Sequence, residues 1–79
     1  MGNSNHHITN REIEILLLIS EGMKTKEIAN NLFISCRTVN THKTRLCNKL
    51  NLRSTAELSC YATSNREKLE NYIVLTKTL

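Results

Sequence analysis

The sequence predicts an all-α fold, a compact domain of four helices with a fifth allowed at the C-terminus. Three observations carry this. Proline is absent and the only glycines are Gly2 and Gly22, so little interrupts a helical chain. Aromatic residues make up only 4% of the chain, which lacks the composition of a strand-rich fold. Apolar residues recur at three- and four-residue spacing, each run preceded by a helix-start signal.

Residues 1–7 are polar and aperiodic and are expected to form a mobile end. His6 and His7 have no further ligand nearby, so no metal role is expected of them. The first helix opens with a capping box. The Thr9 hydroxyl accepts from an early N–H, Glu12 reaches back to the cap, and Ile8 serves as a hydrophobic staple. The helix runs about Asn10 to Glu21, where Gly22 stops it as a left-handed residue. Glu12, Ile15, Leu16, Leu18 and Ile19 share one broad face. A carboxylate there needs a partner, either its own cap or a nearby basic side chain. Ile13 and Leu17 point elsewhere and are expected to be an exposed apolar pair.

The second helix is expected over Lys26 to Leu32, with Thr25 as N-cap and Ile28, Ala29 and Leu32 on one face. Phe33 and Ile34 break the pattern and form a turn. Ser35 caps a third helix, about Cys36 to Leu50, whose seam is Val39, Leu46 and Leu50, flanked by His42 and Lys43. Two short helices joined by a tight turn over Thr25 to Thr44 make a helix-turn-helix, the element whose second helix enters the DNA major groove. Away from the seam lie Arg37, Asn40, Thr41, Thr44, Arg45 and Asn48. These are not the Glu–Lys pairs of an ordinary solvated helix. Asn and Arg make bidentate contacts to adenine and guanine edges, and Thr meets the thymine methyl. A solvated polar face remains the alternative.

After a connector from Asn51 to Arg53, Ser54 to Glu57 forms another capping box and opens a fourth helix, about Thr55 to Thr63. Leu58, Tyr61 and Ala62 form its apolar side. Ala56 and Cys60 lie on a different side and are small enough for close helix–helix contact. A third box, Ser64 to Glu67, begins the tail, and whether a fifth helix breaks from the fourth or continues it is left open. The tail is expected to lie free. The alternative is that Leu69, Tyr72 and Ile73, with Leu75 on the same stretch, pack on Ile13 and Leu17.

The net charge is +4, unevenly placed. Lys24, Lys26, Arg37, Lys43, Arg45, Lys49 and Arg53 stand against one acid, Glu27, giving that stretch +6 and the remainder −2. Such a block suits a polyanion. Cys36, Cys47 and Cys60 are odd in number and widely spaced, which argues against a disulfide framework or zinc site and fits a reducing cytoplasm. No apolar run is long enough to span a membrane, and no signal-peptide core is present. No paired carboxylates, nucleophile–base set or glycine loop points to an enzyme, and no cofactor is expected. A chain of this size buries roughly 60% of its unfolded surface, so dimerisation would help it.

The residues resemble the LuxR-type (GerE/FixJ-like) helix-turn-helix domain of bacterial transcription regulators. The resemblance is carried by IT-RE-E-L-LI-EG from Ile8 to Gly22, KEIA--L-IS--TV--H from Lys26 to His42, and KLN-R from Lys49 to Arg53. It implies a DNA-binding domain over 8–63, followed by a tail over 64–79, acting as an effector domain on double-stranded DNA in the bacterial nucleoid. By position, Asn40, Thr41 and Thr44 match base-facing places, joined on the same helix by Arg37 and Asn48. Lys26, Thr38, Lys43 and Lys49 match places near or supporting the DNA backbone, with Arg45 and the helix starts at Thr25 and Ser35 as further contacts. The resemblance also implies a homodimer on DNA through the fourth helix, here Ala56 and Cys60, with RNA polymerase as an additional partner to consider. The promoter-binding region of a sigma factor shares much of this pattern, though Thr41, His42 and the Ser54 box favour the regulator. A helix-turn-helix used only to bind protein is the third reading.

Overall fold

Local hydrogen bonding at the helix ends explains where the chain folds and where it turns. The computed structural model describes residues 8–78, with side chains over 8–72. The expectations for residues 1–7, His6 and His7 included, and for the side chains of Ile73 and Leu75 lie outside the described residues. Five helices follow one another: α1 (Asn10–Ser20), α2 (Thr25–Leu32), α3 (Cys36–Lys49), α4 (Thr55–Ser64) and α5 (Arg66–Thr78). The expected ends agree to within a residue, the ordinary fraying of helix termini.

At α1 both halves of the capping box form. The Glu12 N–H donates to Thr9 Oγ1 at 3.1 Å, and the Thr9 N–H donates to Glu12 Oε1 at 3.0 Å. Ser35 Oγ accepts from the Thr38 N–H at 3.1 Å, and Ser54 Oγ from the Glu57 N–H at 3.3 Å, so both serines cap as expected. The Ser54 box is only half formed, because Glu57 Oε1 accepts from the Arg53 N–H at 2.9 Å. The start of α2 differs. Thr25 is its first helical residue and Lys24 its N-cap, with the Lys24 N–H donating to Glu27 Oε1 at 2.8 Å. Lysine has no acceptor to offer the first turn, so the leading N–H groups of α2 lack a side-chain cap.

Three helices stop by one device. The N–H groups of Met23, Ile34 and Leu52 reach back to the carbonyls of Leu18, Ala29 and Cys47, at 3.2, 3.0 and 2.8 Å. Each closure needs a left-handed residue just before it. Gly22 and Asn51 meet that need at φ 86 and 59. Phe33 meets it at φ 58, where a side chain with a Cβ costs about 1–2 kcal/mol.

Ile15, Leu16, Ile28, Val39, Leu46, Leu58 and Ala62 are fully buried and join Ile13, Ile19, Ala29 and Leu69 in one core. Each large aliphatic side chain enclosed there contributes about 1.5–3 kcal/mol. α1 is the hub, packing on each of the other helices, and α2 packs on α3.

Two expectations are corrected here. Ile13 is not exposed but buried, and Leu17 is half-buried against the core. The tail is not free, because α5 packs along α1 and carries Leu69 into the core. Asn65 makes the break between α4 and α5. Its N–H and Nδ2 both donate to the Tyr61 carbonyl, at 3.0 and 2.8 Å, while its own carbonyl accepts from the Leu69 N–H. Arg66 then lies 4.0 Å from Glu21 and 3.3 Å from Glu70, exposed pairs that contribute little.

Candidate nucleic-acid interface

Enclosing Val39 and Leu46 sets the rotation of α3 about its axis. It leaves Arg37, Asn40, Thr41, Thr44, Arg45 and Asn48 exposed together on the outward face. No acidic residue lies between Ser35 and Lys49. Ser35, Thr38 and Lys26 are also exposed, whereas Thr25, Lys43 and Lys49 are half-buried.

Hydrogen bonds assign several of these groups. The Thr41 hydroxyl donates to the Arg37 carbonyl at 3.0 Å, which leaves its methyl and a lone pair for an outside partner. The Ser35 and Thr38 hydroxyls lie 3.0 Å apart and stiffen the first turn of α3. Lys43 Nζ donates to Thr25 Oγ1 at 2.7 Å and ties α3 to the start of α2. This holds a cation beside the uncapped N–H groups of α2, a combination suited to an anionic oxygen.

Lys49 is placed differently from the other cations. Its ammonium donates to Glu12 Oε1 at 2.7 Å, and Glu12 is only 2% exposed. The partner that Glu12 needed is therefore a residue expected on the DNA backbone. Burial pushes the Glu12 carboxyl upward. The Lys49 hydrogen bond, the Thr9 N–H, the Lys49 charge and the Thr9 hydroxyl outweigh that and hold it below its ordinary range. Carboxylate and ammonium are thus both charged, and together they pin the C-terminal end of α3 to the start of α1.

His42 is half-buried in the seam, its Nδ1 shielded from solvent and without a hydrogen-bond partner. Cys36 and Cys60 are exposed and Cys47 is half-buried, all three as free thiols. Burial, with a smaller push from Glu57 and an opposing pull from Lys43, raises the Cys47 thiol pKa. Its Sγ donates to the Ser54 carbonyl at 3.6 Å. Among the described residues, no three His, Cys, Asp or Glu side chains gather as a metal site, and no helix is long and apolar enough to cross a membrane. On α4, Ala56 and Cys60 are exposed and border an open groove of about 460 Å³ with Leu52, Tyr61 and Asn65. Residue spacing alone missed the outward projection of Phe33. The missing glycine at the end of α2 was the signal available for it.

The family described as bacterial regulatory proteins, luxR family, matches residues 6–62. The oxygen regulatory protein NreC of Staphylococcus carnosus is 53% identical over 55 residues, covering 70% of this chain and 25% of that protein. BvgA of Bordetella pertussis, described as a putative positive transcription regulator of virulence factors, is 47% identical over 58 residues, covering 73% of this chain and 28% of that protein. The chain thus spans about a quarter of the length of these curated relatives. No solved structure matches it.

Proposed function

Because the chain belongs to the LuxR family of bacterial regulatory proteins, a family of helix-turn-helix DNA-binding effector domains, we propose that α3 lies in the major groove and reads base edges for a transcription regulator. The observation that carries this is the outward face of α3. It is exposed over Arg37, Asn40, Thr41, Thr44 and Asn48, has no acid, and is rich in amide, guanidinium and hydroxyl groups rather than lysines. Asn40 and Asn48 suit adenine edges, and Thr41, its hydroxyl already bonded to the Arg37 carbonyl, has its methyl for thymine, with Thr44 beside them.

Phosphates are met by Lys26, Arg37 and Arg45, by Ser35 and Thr38 at the start of α3, and by the Lys43–Thr25 pair at the uncapped start of α2. Lys49 is left out of this set because Glu12 holds its ammonium. With about four phosphates neutralised per monomer, log K falls with log salt at a slope of roughly −3 to −4. A second copy pairs through the exposed Ala56 and Cys60 of α4, placing two α3 helices on half-sites about one helical turn apart.

Selection of bound duplexes from a random pool tests the whole reading. Enrichment of an inverted repeat, with binding that weakens steeply in salt, is the expected result. No enrichment and no salt-dependent binding would return the domain to the protein-binding alternative.

A further inference from the structure

Phe33 stands out among the described residues. It is 93% exposed, against 44% for Tyr72, the other large hydrophobic at the surface. Its backbone is left-handed, at φ 58 and ψ 44, in the position that Gly22 and Asn51 fill at the ends of α1 and α3 with better-suited residues. The fold gains nothing from the ring and carries the strain of its backbone. An observed outlier of this kind points to a function.

The place of Phe33 in the fold says what meets it. Ile34 turns back toward the core, its N–H closing on the Ala29 carbonyl, and Phe33 is left projecting from the turn. Ser35, the N-cap of α3, is two residues on, so the two Cα atoms are no more than roughly 7 Å apart. A helix with its side chains is about 10–12 Å across, and the major groove is about 12 Å wide. When the N-terminal part of α3 enters that groove, the turn before it meets the rim. The rim presents phosphates and the apolar C–H faces of deoxyribose. The surrounding stretch from Lys24 to Arg53 holds seven basic residues and one acid, so its occupant is a polyanion.

We infer that Phe33 is a further DNA contact, its ring seated on a deoxyribose at the groove rim beside the start of α3. The contact is apolar and indifferent to base sequence, and it adds grip without charge. It rests on the docking of α3 proposed above.

Three variants of the full 79-residue chain test it, on a duplex carrying the selected site and on one of unrelated sequence. Gly and Asn both suit a positive φ, so Phe33→Gly and Phe33→Asn hold or raise the melting temperature. Both are expected to weaken binding roughly three- to tenfold on either duplex, the range given by partial burial of one aromatic ring. The salt slope stays unchanged because no cation is lost. Phe33→Tyr keeps the ring and binds as the wild type does. Undiminished affinity of Phe33→Asn overturns the inference. So does weakening confined to Phe33→Gly, which would assign the effect to a looser turn. If the unaltered chain binds neither duplex, the docking of α3 fails and this contact with it. Variants that match a wild-type chain which does bind remove the contact alone.

Discussion

The two ends of α3 are built for opposite purposes. At its C-terminal end Lys49 is bonded to the buried Glu12, Cys47 reaches the Ser54 carbonyl, and the Leu52 N–H closes on the Cys47 carbonyl. At its N-terminal end Ser35, Cys36, Arg37 and Thr38 are exposed, and the hydrogen bonds there run within the first turn. One end is anchored across the domain and the other is presented to the outside. The difference teaches that a cation's residue type does not reveal its task. Lys49 neutralises an interior carboxylate, while Arg37, on the same helix, faces solvent.

The anchored end should tolerate change least. Leu46→Ala removes a fully buried side chain from the inner face of α3 and is expected to cost about 2–5 kcal/mol in denaturant unfolding. A cost below that range would mean the seam is looser than its burial implies. Truncation after Thr63 strips α5 from α1, the helix that anchors Lys49. Loss of Leu69 burial and exposure of the α1 surface it packs on should remove about 2–4 kcal/mol, read as a lower melting temperature.

The presented end should respond in binding instead. Asn40→Ala is expected to leave the fold intact and to flatten preference at one base pair by about 1–3 kcal/mol, seen by titrating single-site variants of the selected duplex. A matched pair of cation substitutions sharpens the contrast. Lys49→Met, at a side chain 25% exposed, strands Glu12 and should cost about 1–3 kcal/mol of stability with little change in the salt slope. Arg37→Ala should do the reverse, shifting stability within about 0.5 kcal/mol and flattening the slope by roughly 1. Equal slopes for the two variants would erase the distinction between the ends.

The last effect is one of pH, and it concerns Glu12. Its carboxyl is depressed in the folded state, so its contribution is fully present above the unfolded value near 4.5. That contribution is lost as pH falls through the lower, folded value. Glu12→Gln should therefore remove part of the acid-side decline in melting temperature. An unchanged decline would mean that other carboxyls carry it.

Much of the candidate interface was legible beforehand because α3 is amphipathic. Once Val39 and Leu46 go inward, Arg37, Thr41 and Asn48 have to face outward. Phe33 and Lys49 were not legible in the same way. The first depends on a left-handed turn formed without glycine, and the second on a partner 37 residues away along the chain.

The sequence alone determined the first four helices, to within a residue at each end, and the chemistry on the outside of α3. It left open the break at Asn65 that makes α5 a separate helix. Caps, turn residues and apolar spacing act over three or four neighbours, so they can be read in place. Tertiary structure alone decided that Lys49 serves Glu12, that Lys43 leans on Thr25, and that α5 packs along α1 and carries Leu69 into the core. Those outcomes depend on how separate helices cross, and no local rule carries that information across a turn.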